Sequence, residues 1–278
     1  MRLGAPVFTD SDDPDELARA HRNRGLRAAF CPDISLADHD RVRATREAFA
    51  RHDVVIAEVG VWNNLMDADP AQRRANIREM CDGLALAEEV GALCCVNIAG
   101  SRSSKRWDGP HADNFSRGTF ETAVANAREI IDTVRPKRAK LSYEMMPWAL
   151  PDSVESSLEL ISAVDRPAFA AHLDVANLVN SPRRYFGSAA LIRDCCSKLG
   201  PWIVSCHLKD VWLGDKFTVH VDEVPPGDGG LDLKTYLQEV SRLPHHPPIL
   251  LEHLATPEEY DLAGQYVLAL AEEIGITM

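Results

Sequence analysis

Four side chains able to hold a cation each close a short apolar run: Glu144 in AKLSYEMMP, Asp174 in FAAHLDVAN, His207 in WIVSCHLKD and Glu252 in PILLEHL. Three carboxylates and one imidazole suit a hard or borderline divalent ion such as Mn²⁺, Mg²⁺ or Co²⁺. Taken singly, each has a plain structural reading: a glutamate paired with an arginine, or a histidine hydrogen-bonded in the core. Those four runs contain no arginine to balance the acids, and an unpaired buried carboxylate is costly. Together the four point to a metal.

Several neighbours extend the set. Lys209 and Asp210 follow His207 in HLKD. Lys209 is a candidate for a substrate oxygen, with a structural salt bridge as the alternative, and Asp210 is a candidate to orient a ring or a lysine. His172 stands two residues before Asp174, so on a strand it shares that side and is a candidate substrate contact. His253 adjoins Glu252 and is expected to face the opposite way, as a structural residue. Glu58, Trp62 and Asn63 end the third apolar run and Asn97 ends the fourth. Trp62 and Trp107 could stack on a ligand face or simply pack. Arg183, with Arg184, follows the sixth run and could grip a phosphate or carboxylate, or stay solvated.

Successive ligands are 30, 33 and 45 residues apart, room in each case for a helix and a return strand. The whole chain repeats that alternation eight times. Strands are expected at 2–8, 26–32, 53–60, 92–98, 140–146, 168–174, 202–208 and 248–253, nearly continuous in apolar character as parallel strands covered on both sides should be. Amphipathic stretches fill the intervals. Pro14 and Gly25 bracket the first helix in the usual Pro-first, Gly-last order. Further helices are expected at about 38–51, 70–89, 117–134, 153–163, 188–199, 232–243 and 257–274. The fold class this implies is α/β, a single (β/α)8 TIM barrel domain over 1–278, a fold that typically needs about 250 residues. Strand C-terminal ends meet on one rim of such a barrel, which is how distant ligands converge. Two connections, Gly100–Phe115 and Leu213–Gly230, are longer than a barrel needs and are candidates to cover a substrate.

Composition narrows the function. A formal charge of −12 argues against nucleic acid, and no apolar run approaches a membrane span. The basic run Arg135–Lys140 reads as a solvated loop. Seven cysteines, two pairs of them adjacent and none in C-x-x-C spacing, read as structural thiols of a reducing compartment. With no leader pattern at the N-terminus, a cytoplasmic enzyme with a small-molecule partner is the expectation.

The set Glu144, Asp174, His207-Leu-Lys209-Asp210 and Glu252 resembles the sugar phosphate isomerase/epimerase group of xylose-isomerase-like TIM barrels, as do AEVGVWNN at strand 3 and VPPGDGGLD after strand 7. Resemblance to the ketose 3-epimerases of that group implies that Glu144 and Glu252 bind Mn²⁺ and exchange the substrate proton, with Asp174 and His207 completing the metal set. Mg²⁺, Co²⁺ or Zn²⁺ are the other ions it allows, and a homodimer or homotetramer is the assembly it implies. The chemistry has a physical logic: removing a proton beside a carbonyl creates an enediolate whose charge needs a nearby cation. Two carboxylates on opposite faces of that carbon invert it by taking and returning the proton.

One position departs from the pattern. Many such epimerases carry a histidine three residues after the strand-6 aspartate, and here Asn177 stands there. Asparagine donates and accepts hydrogen bonds but carries no titrating proton. The sequence therefore leaves a second reading, a metal-dependent lyase or dehydratase acting on a keto-glycoside or keto-inositol. A DNA-repair endonuclease would call for extra histidines at strands 2 and 3, where Cys31-Pro32 and Glu58-Val59-Gly60 stand. A silent sugar-binding protein would be expected to have lost a ligand, and all four are present.

Overall fold

A computed structural model describes residues 1–278. In chain order, the elements are β1 (Leu3–Gly4), α1 (Pro14–Asn23), β2 (Ala28–Phe30), α2 (His39–Arg51), β3 (Val55–Gly60), α3 (Pro70–Val90), β4 (Cys94–Asn97), α4 (Arg117–Val134), β5 (Lys140–Glu144) and α5 (Val154–Val164). There follow β6 (Phe169–Asp174), α6 (Pro182–Phe186), α7 (Ser188–Leu199), β7 (Ile203–Leu208), β8 (Asp210–Gly214), β9 (His220–Val224), α8 (Leu233–Ser241), β10 (Ile249–Leu251) and α9 (Pro257–Glu273).

Eight strands close into a parallel barrel in the order β1-β10-β7-β6-β5-β4-β3-β2, with β8 and β9 as a separate antiparallel hairpin. All eight expected strands are present, several shorter than their apolar runs because only the paired stretch is strand. The hairpin was not anticipated. It begins three residues before the long connection 213–230 and runs into it, with β8 mostly buried and β9 half-buried to exposed along its length.

Local chemistry sets the helix boundaries. Asp13 caps α1 by accepting from the Asp15 and Glu16 amides, Pro14 fills the first helical position, and Asp15 and Glu16 place negative charge at the positive end of the helix dipole. The Ser153–Ser156 capping box starts α5. Gly91, at φ 85°, ends α3 in the left-handed region that a side chain would strain.

The contacts divide into two compact parts: Met1–Phe30 with Glu47–Val55 and Leu173–Met278, and Cys31–Arg46 with Ile56–His172. In the first, Gly4 pairs with Ala28 and His207 with Leu250. A Cβ on Gly4 would stand 2.6 Å from the Ala28 carbonyl oxygen, so only glycine fits that approach. In the second, Glu58 pairs with Cys94, Asn97 with Tyr143, and Glu144 with His172. The buried strand residues include Glu58, Asn97, Glu144, His172, Asp174 and His207 among the expected aliphatic side chains. Barrel interiors are ordinarily filled by branched apolar side chains, so this polar set is where function should be sought. No helix is long and apolar enough to cross a membrane.

Candidate metal centre

Three of the four expected ligands belong to the first part of the chain. Asp174 is the last residue of β6 and has no exposure. Its Oδ1 accepts from the Asn177 amide at 3.1 Å, which turns the chain immediately after the strand. Glu252 follows the last residue of β10, and His207 Nδ1 lies 2.8 Å from its Oε1. The ring of His207 faces that of Phe30 at a centroid distance of 6.2 Å. Its backbone carbonyl accepts from the Tyr236 hydroxyl at 2.7 Å, fixing the end of β7 from α8. Lys209 completes the cluster: its ammonium is 2.7 Å from Asp174 Oδ2 and 2.5 Å from Glu252 Oε1. Burial would raise the Glu252 carboxyl, but the charges of His207 and Lys209 hold it well below the usual carboxylate range.

In the second part, Glu144 ends β5 and is buried. Glu58 and His172 are wholly buried and face each other, with His172 Nε2 2.8 Å from Glu58 Oε2. Asp174, His207 and Glu252 each offer one ligand atom, and those atoms lie within 4.8 Å of one another. That group of three fits a divalent ion on chemical grounds. Asp174 Oδ2 and Glu252 Oε1 are buried carboxylate oxygens that receive no aligned hydrogen bond. Oxygens of that kind are stabilised by a cation.

The remaining expected site residues are distributed unevenly. Asn177 is half-buried in the 3₁₀ turn after β6, and Lys209 stands among the ligands. Asn97 is buried and occupied, donating to the Asn63 carbonyl at 3.2 Å and side chain at 3.0 Å and accepting from the Ile98 amide at 2.8 Å. Trp62 is 46% exposed and Trp107 41% exposed, both on loops after strands. Arg183 is an exposed residue of α6, whereas Arg184 is anchored to the Leu178 carbonyl.

Asp210 does something other than orient a ring or a lysine. Its Oδ1 accepts from the Val211 and Leu231 amides at 2.8 and 2.9 Å, and its Oδ2 from those of Gly227 and Gly229 at 3.0 and 3.2 Å. One buried carboxylate thus gathers the PPGDGGL segment. A Cβ on Gly229 would sit 2.3 Å from Asp210 Oδ1, which explains a glycine there. His253 also differs from expectation. Strand alternation fails past the end of β10, where His253 adopts φ 60°. Its Nε2 lies 3.7 Å from Glu252 Oε2 and its Nδ1 3.2 Å from Glu223 on β9. Contact with Glu223 raises the His253 imidazole above its ordinary value.

A family profile described as xylose isomerase-like TIM barrel matches residues 7–268. The chain belongs to that family. Among solved structures, it is similar to a xylose isomerase-like TIM barrel protein from Mycobacterium smegmatis in complex with magnesium, at TM-score 0.68 and 16% identity, over 95% of this chain and 90% of the other. D-Psicose 3-epimerase from Clostridium cellulolyticum H10, solved with D-tagatose, superposes at TM-score 0.70 and 11% identity over the whole of both chains. A probable 3-DHS dehydratase from Bacillus anthracis gives TM-score 0.68 and 16% identity, over 97% of this chain and 98% of the other. At these identities the likeness is one of fold. No curated protein matches by sequence.

Proposed function

We propose that this family member is a divalent-metal-dependent isomerase or epimerase of a keto-sugar or sugar derivative. The grouping of Asp174, His207 and Glu252, with ligand atoms within 4.8 Å of one another, carries the reading, and the sequence pattern adds Glu144 as the fourth ligand. These four residues would hold the ion, Mn²⁺ being the favoured one. When bound, it supplies positive charge beside the substrate carbonyl, where negative charge develops as a neighbouring C–H proton leaves.

The rest of the task falls to the chain's own side chains. Glu252, with a carboxyl held low, stays ionised and can accept the proton. Glu144 returns a proton from the other side, inverting the carbon. Asn177 is the polar side chain assigned to substrate oxygens, whereas Lys209, expected there from the sequence, instead meets Asp174 and Glu252. Glu58 and His172, wholly buried and paired, are better placed to hold their surroundings rigid than to meet substrate. For Arg183, Trp62 and Asn97 we propose only outlying contacts, and Asn97 is already occupied by Asn63.

A second reading keeps the same ion and base for β-elimination, making the protein a lyase or dehydratase of a keto-glycoside or keto-inositol. Two observations favour it: Asn177 where the epimerase pattern has histidine, and the fold shared with a probable dehydratase. Turnover of candidate keto-sugars in D₂O distinguishes the readings. Deuterium in recovered sugar of unchanged mass apart from the label supports isomerisation, and an unsaturated or shortened product supports elimination. Absence of a stoichiometric divalent ion by elemental analysis, together with indifference to chelator, overturns both.

A further inference from the structure

Lys209 is an unusual residue to find inside a cation site. It lies between the end of β7 and the start of β8 and is 3% exposed. Its ammonium reaches Asp174 Oδ2 at 2.7 Å and Glu252 Oε1 at 2.5 Å. These are the same two buried oxygens that receive no aligned hydrogen bond. The ammonium therefore meets them as a charge rather than through an aligned hydrogen bond.

A divalent ion bonded to those oxygens at about 2.0–2.2 Å would stand within a few ångströms of the ammonium. Two cations that close, screened by little water, repel strongly. A lysine has a way out that an arginine lacks, because its compact head group rides on a flexible four-carbon stem. A receiver is also at hand: Glu223 Oε2 on β9 lies 3.9 Å from the ammonium and is 37% exposed at the side chain.

We propose that Lys209 is an internal competitor for the divalent ion, its ammonium and the ion being alternative occupants between Asp174 Oδ2 and Glu252 Oε1, with Glu223 receiving the ammonium when the ion binds. The inference rests on the metal reading above and adds a consequence to it. Metal affinity is set below what the four ligands would otherwise give, and occupancy is coupled to the β8–β9 hairpin. Glu223 already contacts His253 at 3.2 Å, so an arriving ammonium adds a second cation to the carboxylate that tethers β9.

The direction of the affinity change separates this role from simple scaffolding. Protein stripped by chelator and titrated with Mn²⁺, read by the electron paramagnetic resonance of free Mn²⁺, is expected to bind one equivalent. Lys209→Met is expected to bind at least tenfold more tightly than the parent. When stripped, it is expected to melt lower than the parent and to gain more in melting temperature on adding Mn²⁺. Glu223→Gln, a half-exposed change, is expected to bind Mn²⁺ several-fold more weakly. Should stripped Lys209→Met not fold, Lys209→Gln serves for the same titration, and Glu223→Gln alone still tests the receiver. Unchanged or weaker binding by the Lys209 variants overturns the competition, and unchanged binding by Glu223→Gln overturns the relocation. A parent that binds no Mn²⁺, Mg²⁺ or Co²⁺ overturns the metal reading itself.

Discussion

Asp210→Asn is the sharpest test of how the long connection after β7 is held. Asp210 is 1% exposed, and its two oxygens share four backbone N–H donors. Asparagine keeps one acceptor oxygen and puts an NH₂ group where the other was. Whichever way the amide settles, two of the four donors face another donor. Hydrogen bonds to a charged partner contribute about 1.5–3 kcal/mol each, so the nominal loss is roughly 3–6 kcal/mol. The Gly227 and Gly229 amides are only partly buried, and water regains some of that. We expect about 3 kcal/mol, a drop in melting temperature of roughly 6–10 °C for a chain of this size. Hydrogen exchange followed by mass spectrometry should localise the effect. Amides of Gly227, Gly229 and Leu231 should exchange about 100-fold faster, the equivalent of that energy. If urea denaturation gives a change below about 0.5 kcal/mol and those amides keep their protection, the carboxylate is not what holds the segment.

Other outcomes follow from the same geometry. Gly229→Ala forces a methyl to 2.3 Å from Asp210 Oδ1 and should cost about 1–3 kcal/mol in urea denaturation; a neutral result would mean the segment relaxes freely. Glu144→Gln and Glu252→Gln should each lower turnover and deuterium wash-in by about 10²–10⁴-fold with unchanged circular dichroism; full activity in either removes it from the proton path. His172→Ala breaks a wholly buried imidazole–carboxylate pair and should cost about 3 kcal/mol of stability; full stability with lost turnover would instead make His172 a substrate contact. His253 is raised by Glu223, so the stabilisation from that contact is present below pH 6.5 and is lost as pH rises through the folded pKa. The imidazole NMR titration should therefore midpoint above 6.5, and in Glu223→Gln it should fall back toward that value.

Glu252 has the opposite linkage. Its carboxyl is depressed, so the stabilisation is present above the ordinary glutamate value near 4.5 and is lost as pH falls through the lower folded value. The two groups differ in sign because one is a base gaining an acidic partner and the other an acid beside cations. Lys209 belongs to both arrangements, touching Glu252 at 2.5 Å and Glu223 at 3.9 Å.

The pattern of apolar runs was enough to place β5, β6, β7 and β10, with polar candidates at or just past their C-terminal ends, because strand residues covered on both faces must be apolar. Barrel topology is also why Glu144, Asp174, His207 and Glu252 were expected from the sequence to meet at one rim as candidate ligands. Side-chain direction past a strand end was not. His253 was expected to turn away from Glu252 by strand alternation, and a left-handed backbone at φ 60° cancelled that rule. Asp210 looked like a partner for a neighbouring side chain, yet four main-chain donors from residues as distant as Leu231 converge on it. Such convergence depends on where a loop returns, which no local spacing encodes. Lys209 is the clearest division of the two: its charge beside the ligands was plain from HLKD, whereas its contact with two particular oxygens depends on how separate strands pack.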